Sequence, residues 1–146
     1  MEKAEKISVS DLSVGDWVCA EQLCGVHSKP RLTPPMKVVG LGDGAGGWVN
    51  LMIDPEQGDP FEFDPSEIRG VPIASEVLEK NGLCVVEEDA DFCEYELFGS
   101  ENFSIFHIKG TLHYRLETPQ ASVVCWNVHQ LQHALRLAGV GKEIVI

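Results

Sequence analysis

The sequence predicts a mainly β fold with a minor helical share, and three observations predict it. As far as about residue 71, short runs of strand formers are separated by closely spaced glycine and proline turns. From Leu83 to Cys125, apolar and polar residues alternate in strand-length stretches. Helical signals are confined to two places, from about Ser75 to Asn81 and from Asn127 to Gly139.

The first half begins with a polar lead, apolar Leu12 and Val14, a Gly-Asp turn and a strand from about Trp17. The three prolines of "CGVHSKPRLTPP" exclude a central strand there. "MKVVGL" and "GWVNLMID" form two strands joined by a glycine loop, and "FEFD" follows the turn "PEQGDP". Strands this short and this close suit a small, strongly bent barrel or sandwich. The glycine stretch "GDGAGG" satisfies G-x-G-x-x-G on paper. A phosphate loop needs a helix next, and "WVNLMID" is strand-forming, so the stretch reads as a hairpin loop.

The pattern changes at "GVPIASEVLEKNGL". Ile73, Val77 and Leu78 share a helical face, and Gly82 stands where a helix C-terminus needs a left-handed residue. This short helix is the joint between parts 1–71 and 72–146, which are expected to pack as one compact unit.

A meander follows. "LCVVEE" and "FCEYELF" flank the acidic turn "DADF". "NFSIFHI-KG-TLHYRLE" reads as a hairpin with Lys109 and Gly110 at its tip. In that register Phe103, Ile105, His107, Leu112, Tyr114 and Leu116 face the core, while Ser104, Phe106, Ile108, Thr111, His113 and Arg115 make a half-exposed face. "SVVCW" leads into a capped helix, and "KEIVI" reads as a last strand.

The chain has 146 residues, 11 basic against 23 acidic, for a net charge of −12. Between Lys37 and Arg69 there are seven acids and no base, and again seven and none between Lys80 and Lys109. Such a surface repels phosphate, so direct nucleic-acid binding is not expected. It suits solubility, or an unidentified basic or DNA-binding protein partner, including mimicry of nucleic acid toward that partner. Glu87, Glu88, Asp89, Asp91, Glu94 and Glu96 are the candidate interaction surface. The same acids lack the ligand order and glycine of a calcium loop.

"MEKAEKISVS" has no apolar leader core, and no apolar run reaches the 18 or so residues of a membrane span, so a cytoplasmic protein is expected. Five cysteines, with no C-x-x-C pair, read as reduced and mostly buried thiols. No cofactor motif is present, and no nucleophile elbow marks a catalytic serine.

His129 and His133 lie four apart on one helix face and could share a zinc ion. Gln130 stands where a zinc hydrolase carries its catalytic glutamate, and an amide cannot take a proton from metal-bound water. His107 and His113 could join only if the hairpin packs beside the helix. A structural account covers more residues. Asn127 and Gln130 fit a capping box, Trp126 and Leu131 a hydrophobic staple, and Val128, Leu131, Ala134, Leu135 and Ala138 a buried stripe ended by Gly139. His129, Gln130, Gln132, His133 and Arg136 then form the polar side. No metal, cofactor or catalytic residue is assigned.

Three stretches, "DLSVGDWV", "IRGVPIASEVLEKNGL" and above all "WNVHQLQHALRLAG" with "KEIVI", give the chain a resemblance to a family of small proteins. That family is encoded in phages, prophages and conjugative elements of anaerobic gut bacteria. Its members end in a "Y-V-H-Q-L-Q-N" type motif; here Trp126-Asn127 precedes Val128, and His133 replaces the usual Asn. The resemblance implies an SH3-like barrel at the N-terminus, carries no assigned activity and transfers no catalytic residue. The function expected is a non-enzymatic interaction module. A metal-dependent hydrolase built on the histidines and a structural phage component are the alternatives.

Overall fold

A computed structural model describes residues 9–23, 30–42, 48–52, 58–97 and 102–146. Of these, 46% lie in strands and 18% in helices, which makes the fold mainly β. The chain divides into two compact units, Met1–Val71 and Pro72–Ile146.

In the first unit, β1 (Trp17–Leu23), β2 (Pro30–Leu32), β3 (Met36–Gly42), β4 (Trp48–Met52), β5 (Phe61–Phe63) and β6 (Ile68–Gly70) form one curled antiparallel sheet. β1 serves three partners along its length: β3 at Trp17 and Val18, β6 from Val18 to Ala20, and β2 from Glu21 to Leu23. A register shift between Val38 and Gly40 bends β3 against β4. The result is a small, strongly curled antiparallel sheet of short strands, as the closely spaced turns led us to expect. Its interior holds Leu12, Val18, Ala20, Met36, Val38, Val49, Leu51, Phe63 and Ile68. Each large side chain buried in this way is worth about 1.5–3 kcal/mol, which is how so short a set of strands holds its curl.

Among its described residues, 30–35, the proline-rich segment supplies β2, an edge strand, in keeping with the missing proline donors. Gly42 pairs with Trp48 across the β3–β4 hairpin, so the glycine stretch joins two antiparallel strands; residues 43–47 themselves lie outside the described residues. Asp64 and Glu67 form a capping box around the 3-10 turn Pro65–Glu67, and Arg69 donates to the Ser66 and Ile68 carbonyls while pairing with Glu21 at 3.1 Å. Val14, expected to be apolar structure, is 60% exposed.

In the second unit, α1 (Ser75–Lys80) precedes a five-stranded antiparallel meander, and α2 (Val128–Leu137) follows it. The strands are β7 (Leu83–Glu88), β8 (Phe92–Leu97), β9 (Ser104–Ile108), β10 (Tyr114–Glu117) and β11 (Ser122–Cys125), adjacent in chain order. Leu83, Cys93, Tyr95, Ile105, Tyr114, Leu116 and Cys125 are buried on one face. Against β10 and β11 lies α2, which buries Val128, Leu131, Ala134 and Leu135. The sheet's two edges differ. β7 carries a bulge and two glutamates, whereas β11 is an uncharged strand paired with β10 without a register shift.

Four expectations are corrected. The β9–β10 hairpin pairs His107 with Tyr114, so its tip is two residues longer than Lys109-Gly110 implies. The change is an even number, so the faces are preserved, but Leu112 moves into the loop and is 49% exposed. Ala138, placed on the buried stripe, is the exposed C-cap. His129 and Gln132, placed on the polar side, are 2% and 4% exposed. Finally, "KEIVI" is not a strand, because side chains claim its backbone groups. Gln132 Nε2 donates to the Lys142 carbonyl (3.0 Å), and Ile144 N donates to Gln132 Oε1 (2.6 Å). Asn81 does the same for Val145, donating to its carbonyl and accepting from its N–H, both at 2.7 Å.

Candidate functional site

The meander's other face is where chemistry-bearing side chains collect. Along β8, Cys93 and Tyr95 point to the core, so Phe92, Glu94 and Glu96 project from the outer face. Register then extends one row across the whole sheet: Val124 opposite Arg115, Arg115 opposite Phe106, Phe106 opposite Glu94, and Glu94 opposite Glu87. The last pairing depends on the bulge. In unbroken alternation from Leu83, Glu87 would share the core side with Val85; the shift between Val85 and Glu87 turns it outward to meet Glu94.

Like charges directly opposite on a sheet oppose folding. Partial burial, and then the charges of Glu96 and Glu87, raise the Glu94 carboxyl above the usual carboxylate range. The folded state therefore holds this proton to higher pH than the unfolded chain does. Stability is expected to rise as pH falls from neutral through that raised pKa. Replacing Glu94 by Gln should raise the urea midpoint at neutral pH and make no difference in acid, where the carboxyl is protonated in both states. An unchanged neutral midpoint would show that the repulsion is screened away.

The structure gathers only part of the acidic set. Glu87, Glu94 and Glu96 share the outer face, Glu96 standing opposite Cys84. Glu88 pairs with Cys93 on the other side of the pleat and forms an ion pair with Lys109 at 2.9 Å. Asp89 closes the turn, its Oδ1 accepting from the N–H groups of Asp91 (2.7 Å) and Phe92 (3.0 Å), while the Asp91 carbonyl accepts from Lys109 N. Glu117 was not among the candidates, yet it joins the face through β10, next to Arg115 at 3.7 Å.

Aromatic residues complete the surface. Phe92 and Phe106 have ring centroids 6.1 Å apart, and His113 lies 5.1 Å from Trp126, which is 45% exposed. Between them Phe106, Ile108, His113, Arg115 and Glu117 line a shallow depression of about 190 Å³. Alternation marked Phe106, Ile108, His113 and Arg115 as half-exposed, but nothing local tied them to the acids of β7 and β8.

The histidines do not gather. His107 stacks on Tyr114 with centroids 4.2 Å apart and bonds the Thr111 carbonyl at 2.9 Å. His113 projects from the opposite face of the same hairpin. His129 and His133 meet edge to face at 5.9 Å. Among the described residues no three His, Cys, Asp or Glu side chains could hold one metal ion. Of the thiols, Cys19, Cys93 and Cys125 are buried and Cys84 is exposed. Burial pushes the Cys19 and Cys125 thiols up to about 11, which keeps them protonated and poorly nucleophilic at neutral pH.

No known protein family, curated protein or solved structure matches the chain. Its own surface is therefore the guide to its function. Among the described residues no helix is long and apolar enough to cross a membrane.

Proposed function

We propose that this chain is a non-enzymatic interaction module of a phage or mobile genetic element, which binds a basic protein partner in the cytoplasm. One observation carries the reading. The β7 bulge turns Glu87 to face Glu94, with Glu96 beside them, a like-charge arrangement that opposes folding and that a cationic partner would relieve. Arg115 interrupts the acidic face, which favours a protein-binding surface over a uniform mimic of phosphates. The free thiols suit a reducing compartment.

The test is affinity capture from a lysate of an anaerobic gut bacterium, comparing the natural chain with the triple variant Glu87→Gln, Glu94→Gln, Glu96→Gln. The natural chain should retain a discrete basic protein at physiological salt. The triple variant should lose it, as should about 1 M salt, where screening acts within about 3 Å. Recovery of the same proteins by both chains, or of none by either, would overturn the reading.

A further inference from the structure

Acidic charge alone attracts any cation, but the outer sheet face offers more than charge. Phe106 stands directly opposite Glu94 on one side and Arg115 on the other. Side chains directly opposite have Cβ atoms about 4.5–5.5 Å apart, so an aromatic ring and a carboxylate adjoin here as a plate and an acceptor. Arg115 is drawn toward Glu117, its Nε 3.7 Å from the carboxylate. Phe92 widens the apolar plate beside Phe106, and Ile108 and His113 continue it toward Trp126.

A planar cation matches this pairing better than a point charge. A guanidinium can stack on an aromatic ring and, along its edge, donate two parallel hydrogen bonds to a carboxylate. An ammonium group can use the charge but gains less from the plate. A second copy of the chain is a poor occupant, since the face carries Glu87, Glu94, Glu96 and Glu117 against Arg115.

We infer that the outer face of the five-stranded sheet is a docking surface for an arginine-bearing segment of a partner protein, with Phe106 as the stacking plate and Glu94 as the guanidinium acceptor. The inference rests on the interaction-module reading above and adds the chemistry of the partner.

The full-length chain would be titrated into a fluorescent synthetic peptide of alternating arginine and serine, and into its lysine counterpart, with anisotropy as the readout. The arginine peptide should bind about fivefold more tightly, the scale of an exposed cation–π contact. Phe106→Leu keeps apolar bulk but removes the ring, and should abolish that preference by weakening the arginine peptide more than the lysine peptide. Glu94→Gln should weaken both peptides. Circular dichroism would confirm that both variants fold.

Equal binding of the two peptides, unaffected by Phe106→Leu, would overturn the inference and leave the acidic-surface reading standing. Failure of both peptides to bind at low salt would overturn both. Self-association that Phe106→Leu abolishes would assign the face to a second copy, and the inference would again fall.

Discussion

Replacing Gln132 by Ala is expected to destabilise the second unit by about 3 kcal/mol, the scale set by leaving buried polar groups without partners. The loss comes from both ends of one amide. Its Nε2 holds the Lys142 carbonyl and its Oε1 accepts from Ile144 N in a buried setting. Without the amide, Ile144 N must find another acceptor or the tail must lift into water. If it lifts, the Ile144 side chain, 4% exposed, is uncovered as well. Asn81→Ala should act on the same segment through Val145, so the double variant should cost less than the sum of the two singles. Urea denaturation gives the magnitude, and amide exchange at Ile144 and Val145 locates it. A change below about 0.5 kcal/mol, the range of ordinary surface substitutions, would show that these bonds are replaced by water at no net cost.

Leu131→Ala should cost about as much, within the 2–5 kcal/mol span of buried leucine truncations. Leu131 is fully buried in α2, a helix of ten residues. A helix this short is marginal in water, so α2 depends on docking against β10 and β11 rather than on its own propensity. A cavity at Leu131 therefore weakens the helix and also the tail that hangs from Gln132. Leu137→Ala is the matched control, because Leu137 is 90% exposed and its loss should stay within about 0.5 kcal/mol. Equal urea midpoints for the two variants would mean that α2 does not dock as described.

Locally encoded features were the legible ones. Gln130 Oε1 accepts from the N–H groups of Trp126 and Asn127, completing the capping box that the spacing announced. Gly82 and Gly139 both take positive φ at the helix ends, as expected of them. Strand alternation placed the faces of β9 and β10 correctly even though the hairpin tip was read two residues short. What escaped depends on partners distant in sequence. Helical periodicity puts Gln132 on the polar side, because it has no access to a tail ten to twelve residues further on that covers it. β-branched Val and Ile make "KEIVI" look like a strand, but strand formation needs a neighbouring ladder, and two amides occupy those backbone groups instead. The candidate surface was half legible for a similar reason. Composition shows the acids, whereas only the bulge reveals that Glu87 joins Glu94 and Glu96, and only the register places Phe106 between Glu94 and Arg115.

The unlike edges of the meander bear on how these molecules could associate. Fibre growth by strand addition needs two receptive edges on every sheet, one to accept a neighbour and one to offer the next site. Among the described residues of this sheet, the bulge and glutamates of β7 spoil one of them, and β11 is the plain edge. Copies joining through β11 would each use up their receptive edge, so growth along this sheet ends at a pair.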